Sequence, residues 1–518
     1  MGAGIAQVAS LAGYETYLHD PFPEALDRGV TGIRSGLRKG AERGRWSEQN
    51  ARAAEDRLHA ASALADLGGC DLVIEAAPEN LELKRKLFAD LVEICGEDVL
   101  LATNTSSLPV TAMASAVPRP QNVVGMHFFN PAPLMPLLEV VAGVDSSRDA
   151  VETARAVGER MGKRVIAASD GPGFLANRCA RPVGMESLRL LGDGIADHAT
   201  IDRIVRMGAG YKMGPFELSD LVGIDTGFEV SKSFYEQSFH EPRWRPSRIQ
   251  ARMVQSGRFG RKTGRGYYDY SGNGSHREED PEVPPLGGGS GSVVVSGESR
   301  LAEEIRALAA AAGWRVGEPG QENGSPPDVV IDAEVGRALV PELTPQELKA
   351  PLCILCVDGS LAELDVIGDA VGFHALPPLE HSRVVEMTRT PATHDDAALR
   401  ADAFFRSLGK HVDWVGDAPG LVLGRIVCQL VNEACFAITE DVGSAEDIDL
   451  ALRLGYSHPR GPLEWADVIE LDQVLATLDA LYDELHEERY RAAPLLRRMV
   501  AEGRLGRSVG EGFFTYDE

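Results

Sequence analysis

Asp170-Gly171-Pro172-Gly173-Phe174-Leu175-Ala176-Asn177-Arg178 returns further along the chain as Asp417-Ala418-Pro419-Gly420-Leu421-Val422-Leu423-Gly424-Arg425, a shift of 247 residues. The same shift carries His127 onto His374, Glu139 onto Glu386, and Gly214-Pro215-Phe216-Glu217 onto Gly461-Pro462-Leu463-Glu464. A long period shared by separate motifs marks a duplicated unit, and it has to be recognised before any fold is assigned. The repeat also acts as an internal control: Asn177 in the first copy is Gly424 in the second, so a polar group is kept on one side only.

Residues 1–12 predict a helix, with Ile5, Val8, Ala9 and Ala12 at helical spacing and Gly13 suited to a left-handed C-terminal position. Extended apolar runs follow at 15–19, 72–75, 99–102 and 122–127, most of them separated by helical stretches. Strands alternating with helices predict a parallel sheet covered on both faces. From about residue 170 the pattern turns to long helices, hinged at Pro172-Gly173 and ending near Gly266-Tyr267-Tyr268-Asp269-Tyr270. Residues 271–292 are rich in Gly, Ser, Pro and acid, which predicts a flexible linker. Alternation restarts at Val293-Val294-Val295, helices resume after Pro419, and Gly512-Phe513-Phe514-Thr515-Tyr516 echoes the end of the first copy. The expected fold class is α/β: a Rossmann-like domain plus an all-helical domain, duplicated in tandem with a degenerate second copy. The expected boundaries are 1–168, 169–270, 271–292 for the linker, 293–416 and 417–518.

A formal charge of −26 over 518 residues argues against a nucleic-acid partner, although it leaves room for a local anion site. No apolar run approaches the roughly 18–20 residues of a membrane span. The N-terminus lacks the basic start of a secretory signal. The seven cysteines are scattered; Cys353 and Cys356 lie in an apolar, strand-like run with no second pair to complete a metal site. The expectation is a cytoplasmic protein with buried, reduced thiols and no metal.

A dinucleotide-binding βαβ unit needs a strand, a glycine turn and a helix whose N-terminus faces the pyrophosphate, with an acid about 20 residues on for the ribose. Here the helix carries Gly2 at its start, and Asp20 closes the next strand 18 residues later. Gly2 and Asp20 are candidate cofactor ligands, and the acid favours NAD over NADP because it would repel a 2′-phosphate. The first strand and first two glycines of such a fingerprint are not seen, so the polypeptide is expected to extend upstream of Met1, or to be truncated there. The second copy does place a strand, Val293-Val294-Val295, before its helix. Its turn holds Glu298, which repels phosphate, so that copy is expected not to bind a dinucleotide.

His127 ends a strand, and Glu139 stands 12 residues on among Leu137, Leu138, Val140 and Val141. A carboxylate in so apolar a strand needs a partner, and His127 is the natural one. The carboxylate fixes the imidazole tautomer and favours the imidazolium, which suits a general base acting on a substrate hydroxyl. Asn104-Thr105-Ser106-Ser107 follows another strand, at the end where ligands bind in such sheets. Asn177, at the apolar start of a helix, offers an amide to orient a substrate oxygen.

These residues resemble the L-3-hydroxyacyl-CoA dehydrogenase family, and the two-copy layout resembles its long bacterial form linked to phenylacetate catabolism. The matching stretches are Glu75-Ala76-Ala77-Pro78-Glu79-Asn80-Leu81, Asn104-Thr105-Ser106-Ser107-Leu108, Gly125-Met126-His127-Phe128-Phe129-Asn130-Pro131-Ala132-Pro133, Pro172-Gly173-Phe174 and Gly208-Ala209-Gly210-Tyr211-Lys212-Met213-Gly214-Pro215-Phe216. The resemblance implies NAD-dependent oxidation of a 3-hydroxyacyl-CoA in fatty-acid or aromatic degradation. His127 would take the hydroxyl proton, supported by Glu139, while Ser106 and Asn177 hold the substrate oxygen. Glu79, Lys84, Asn104 and Asn130 would line the cofactor site with Asp20. Arg38, Lys39 and Arg43, in a basic run within an acidic chain, are candidates for the CoA phosphates. Single-copy members pair through their helical domains, so the chain is expected either to self-associate or to pair its two helical domains internally. Ser106 is matched in the second copy with Gly359 of Val357-Asp358-Gly359-Ser360-Leu361, and that copy is expected to be inactive. The competing expectations are a CoA-independent hydroxy-acid dehydrogenase and a non-catalytic scaffold.

Overall fold

The alternating apolar runs become strands, most of them paired in parallel, and the helices between them supply the cover. A computed structural model describes residues 1–518 except 273–274, 318–325, 337–349, 366–367 and 517–518. The chain divides into two units, Met1–Arg178 with Glu440–Ser457, and Cys179–Thr439 with His458–Glu518. Each unit thus draws on both copies of the repeat.

In the first unit, β1 (Thr16–His19) pairs with β2 (Leu58–Ala61), a strand the sequence pattern did not announce. A separate sheet has the order β3-β4-β5-β6-β7, from β3 (Leu72–Glu75), β4 (Leu100–Thr103), β5 (Val123–Phe128), β6 (Leu137–Ala142) and β7 (Arg164–Ser169). Only β5 and β6 are antiparallel in it. Val124, Met126, Leu138 and Val140 form its core with Ala150 and Ala154 of the helix Arg148–Arg160 and with Ile5, Val8 and Ala9 of the helix Gly2–Leu11. Against β6 and β7 lies a helix of the second copy, Ala445–Gly455. The segment before it is tied down: Ser169 donates its amide to the Val442 carbonyl (3.1 Å) and its hydroxyl to that of Asp441 (2.7 Å). Arg178 pairs with Glu440 at 2.8 Å.

The second unit holds a seven-stranded sheet, built from β8 (Ser292–Ser296), β9 (Arg315–Gly317), β10 (Val329–Asp332), β11 (Leu352–Leu355), β12 (Val371–His374), β13 (Val384–Arg389) and β14 (His411–Trp414). Its order is β14-β13-β12-β11-β10-β8-β9, so β8 joins β9 to β10. In the first copy the corresponding strands, β1 and β3, belong to separate sheets, and no strand among the described residues joins them. A first-copy helix, His198–Ala209, packs on β13. Gly416 donates to the Ile195 carbonyl (2.7 Å) and Arg425 pairs with Asp193 (3.2 Å). At the 247-residue shift these are the same contacts as Ser169–Val442 and Arg178–Glu440, with the copies exchanged.

Residues 275–292 are not the free coil that the composition of 271–292 predicts. Asp280 pairs with Arg206 at 2.6 Å, His276 and Arg277 reach Glu217 at 2.8 and 3.0 Å, and Leu286 bridges to Leu408. Arg206 and Glu217 are themselves buried and paired at 2.7 Å, and the polar linker residues extend that pair into a network. All seven cysteines are free thiols; five are buried, while Cys70 and Cys95 are half-buried.

Candidate active site

His127 on β5 stands directly opposite Glu139 on β6. Opposed residues of an antiparallel pair share a face and come within reach of each other. His127 Nδ1 lies 2.6 Å from Glu139 Oε2, and the carboxylate is fully buried. Glu139 Oε1 accepts the backbone amides of Leu175 and Ala176 at 3.1 and 2.8 Å. Those amides open the helix Ala176–Asp193, so the buried charge is met by a helix N-terminus as well as by the imidazole. The turn that aims them has positive φ at both Gly173 (71°) and Phe174 (51°). Left-handed backbone is unfavourable for a phenylalanine. Here its ring is buried beside His127, centroids 5.8 Å apart, with Phe129 also against the imidazole at 4.8 Å.

Asn177 follows on the same helix, and its Nδ2 approaches the Ser106 carbonyl at 3.4 Å. Ser106 sits beyond β4, where Glu79 accepts its amide (2.9 Å) and its hydroxyl (3.4 Å). Glu79 also takes the Thr105 hydroxyl and pairs with Lys84 at 3.3 Å. Lys84 is only 1% exposed and bonds both oxygens of Glu75 at 3.0 and 3.1 Å, while the Thr103 hydroxyl donates to Glu75 at 2.8 Å. A polar chain therefore runs from the serine loop to a buried lysine. The structure brings His127, Glu139, Ser106 and Asn177 into one cluster and links Glu79 and Lys84 to it.

The other predicted residues lie apart from the imidazole. Asn104 uses its side-chain oxygen to hold the Phe128 amide at 2.8 Å, fixing the end of β5 next to His127. Asn130 is exposed after β5. Asp20 follows β1 and accepts the Phe22 amide at 2.9 Å. Arg38, Lys39 and Arg43 are exposed along and just after the helix Pro23–Glu42, with Arg38 3.2 Å from Glu55. The helix beginning at Gly2 has no side-chain cap, so its first amides remain available to an anion. A Cβ on Gly2 would meet only Ala76, at 3.7 Å. The uncapped helix start offers backbone donors to a pyrophosphate and the acid closing β1 an acceptor to a ribose, so the residues present fit NAD.

In the second copy the frame survives and the pairing does not. His374 and Glu386 are again cross-strand partners, and Glu386 again accepts the amides of Val422 and Leu423, at 2.7 and 3.1 Å. Yet His374 Nδ1 is 3.8 Å from the carboxylate and has no hydrogen-bond partner. A Cβ at Gly424 would stand 2.5 Å from His374 Nε2, so the ring fills space that a side chain at 424 would need. Strand register also corrects the serine correspondence. Ala102 pairs with Val124 and Cys353 with Val371, and Val124 and Val371 are 247 apart. Ser106 therefore corresponds to Val357, not Gly359. Asp170 and Asp417 agree, capping Val110-Thr111 and Leu361-Ala362.

Glu75, Thr103 and Thr105 do not stand out in the sequence, because their roles depend on a buried lysine. Nor does Tyr456 stand out by its own surroundings, although its hydroxyl donates to Asn177 Oδ1. The repeat held the signal, because Tyr456 falls on Ala209 at the 247-residue shift.

Residues 1–171 match the family described as "3-hydroxyacyl-CoA dehydrogenase, NAD binding domain". Residues 173–270 and 420–516 each match "3-hydroxyacyl-CoA dehydrogenase, C-terminal domain". The 3-hydroxyadipyl-CoA dehydrogenase of Escherichia coli K12 is 35% identical over 96% of this chain and 95% of its own length. A probable 3-hydroxybutyryl-CoA dehydrogenase of Deinococcus radiodurans is 39% identical over 52% of this chain and 96% of its own. The crystal structure of an E. coli K12 3-hydroxybutyryl-CoA dehydrogenase superposes with a TM-score of 0.80 at 32% identity, covering 97% and 96% of the two chains. The chain belongs to the 3-hydroxyacyl-CoA dehydrogenase family: it is an NAD-dependent oxidoreductase with a Rossmann-like domain and a helical domain, both present twice. No helix among the described residues is long and apolar enough to cross a membrane.

Proposed function

We propose that the first copy oxidises an L-3-hydroxyacyl-CoA to the 3-oxoacyl-CoA, with His127 as general base. The observation that carries this is the buried His127–Glu139 hydrogen bond of 2.6 Å. With Nδ1 held by the carboxylate, Nε2 is the atom that takes the 3-hydroxyl proton, and the imidazolium that forms is stabilised by Glu139. Ser106 and Asn177 orient the oxygen whose charge changes during the reaction. NAD, held at the helix start beside Gly2 and by Asp20, would supply the hydride acceptor for C3. Arg38, Lys39 and Arg43 supply positive charge for the CoA phosphates. The second copy is non-catalytic, and the two helical regions pair within one chain. The full-length relatives, named for 3-hydroxyadipyl-CoA and 3-hydroxybutyryl-CoA, support a short acyl chain, with or without a terminal carboxylate.

The test is NADH formation with both of those thioesters. His127→Ala is expected to cut kcat on the order of 10²–10⁴-fold, the usual loss for a general base, with NADH affinity retained. His374→Ala should keep kcat within about twofold, well below that range. Wild-type protein inert on both thioesters, or equal losses in the two variants, overturns the reading.

A further inference from the structure

We propose that the second copy completes the first copy's active site through Tyr456, which acts as a positioning residue for Asn177; the inference rests on the reading of that site given above. Tyr456 follows the second-copy helix Ala445–Gly455, which packs on β6 and β7, the strand of Glu139 and its neighbour. Its hydroxyl donates to Asn177 Oδ1, and its ring meets Phe129 edge-on, centroids 6.4 Å apart. Phe129 in turn lies against His127.

The consequence concerns which end of the amide faces the reaction. A carboxamide has one accepting and one donating end, and nothing in its shape distinguishes them. The Ser106 carbonyl can only accept and takes Nδ2 at 3.4 Å, and Tyr456 completes this orientation by donating to Oδ1 at the other end. A donor there favours the alkoxide-like oxygen that develops at C3 as His127 removes the proton. Without Tyr456 only the 3.4 Å contact to the Ser106 carbonyl orients the amide, and the flipped form, whose oxygen repels that charge, becomes more populated.

The repeat argues that the pair is functional. Arg178–Glu440 and Ser169–Val442 recur in the other unit as Arg425–Asp193 and Gly416–Ile195, so the frame around Tyr456 is duplicated. The Tyr–Asn pair is not. At the 247-residue shift Tyr456 is Ala209 and Asn177 is Gly424. Both members are missing together from the copy whose histidine has lost its carboxylate.

The experiment is a double-mutant cycle in the full-length chain, using Tyr456→Phe, Asn177→Ala and the double variant, with the thioester that the wild type oxidises better. Tyr456→Phe keeps the ring against Phe129 and removes only the hydroxyl. It is expected to lower kcat about tenfold, with the KM for the thioester and NADH affinity within about twofold of wild type, the pattern of an interaction made in the transition state. In the Asn177→Ala background the same change should move kcat less than about twofold, because the group it acts through is gone. An unchanged kcat in Tyr456→Phe, a higher KM at constant kcat, or an equal loss in both backgrounds overturns the positioning role while leaving the dehydrogenase reading intact. A wild-type chain without turnover overturns both.

Discussion

Glu139 and Glu386 separate two jobs that one carboxylate performs in the first copy. Both cap the helix that follows the Pro-Gly turn, but only Glu139 also holds a histidine. Glu386→Gln should therefore destabilise the fold by about 1–3 kcal/mol, the range for disturbing a buried hydrogen-bonded charge, and leave kcat unchanged. Glu139→Gln should cost a similar amount of stability and lower kcat as well. Urea midpoints beside initial rates check both; a kcat loss in Glu386→Gln would count against an inactive second copy. The two His–Glu pairs were visible in the sequence because spacing and apolar flanks are local properties. That only one pair is joined was not visible. It depends on where the His374 ring settles once residue 424 has no side chain.

At the scale of elements, the helices His198–Ala209 and Ala445–Gly455 run into matched turns, and these place Tyr211 and His458 3.1 Å apart. The positions are 247 residues apart, so they are equivalent sites in the two copies bearing different residues. Burial pushes the His458 imidazole down from its ordinary value to about 4. The folded protein then binds fewer protons than the unfolded chain between pH 4 and about 6.5, so stability falls on acidification through that window. A shift of that size corresponds to about 3 kcal/mol, fully lost near pH 4 and fully present above pH 6.5. His458→Gln should flatten the difference between urea midpoints measured at pH 7 and pH 4.5; an unchanged difference would show that His458 does not titrate this way. The elements themselves were largely anticipated from periodicity. Exceptions were β2, too short to stand out within a helical stretch, and the stretch 271–292. The linker's composition argued for a coil, while its order depends on Arg206 and Glu217, more than 50 residues upstream in the chain.

At the scale of the molecule, the repeat was legible but its interlocking was not, because contacts between residues 190 or more apart leave no local periodicity. Each unit contains charge pairs that join the two copies. In the second, Arg425 is buried against Glu186 at 2.7 Å, Arg243 meets Glu433 at 2.8 Å, and Arg203 forks onto Asp413 at 2.6 and 3.0 Å. Burial alone would raise Glu186, but Arg425 and Arg189 outweigh it and hold this fully buried carboxylate below the usual range. In the first, Arg178–Glu440 and the backbone bond from Ser169 to Val442 do the same work. The fully buried pair Arg425–Glu186 is expensive to break from one side, on the order of 3–5 kcal/mol, since separation leaves a charge without its partner. The covalent link should therefore be dispensable once the chain has folded. A protease site built into residues 281–285 and cut in the purified protein should give two fragments that elute together on size exclusion and keep NAD-dependent turnover. The cut protein with Arg425→Leu should come apart at a lower urea concentration than the cut parent. Fragments that separate in buffer alone would show that the two copies are held together by the linker and not by the pairs that cross between them.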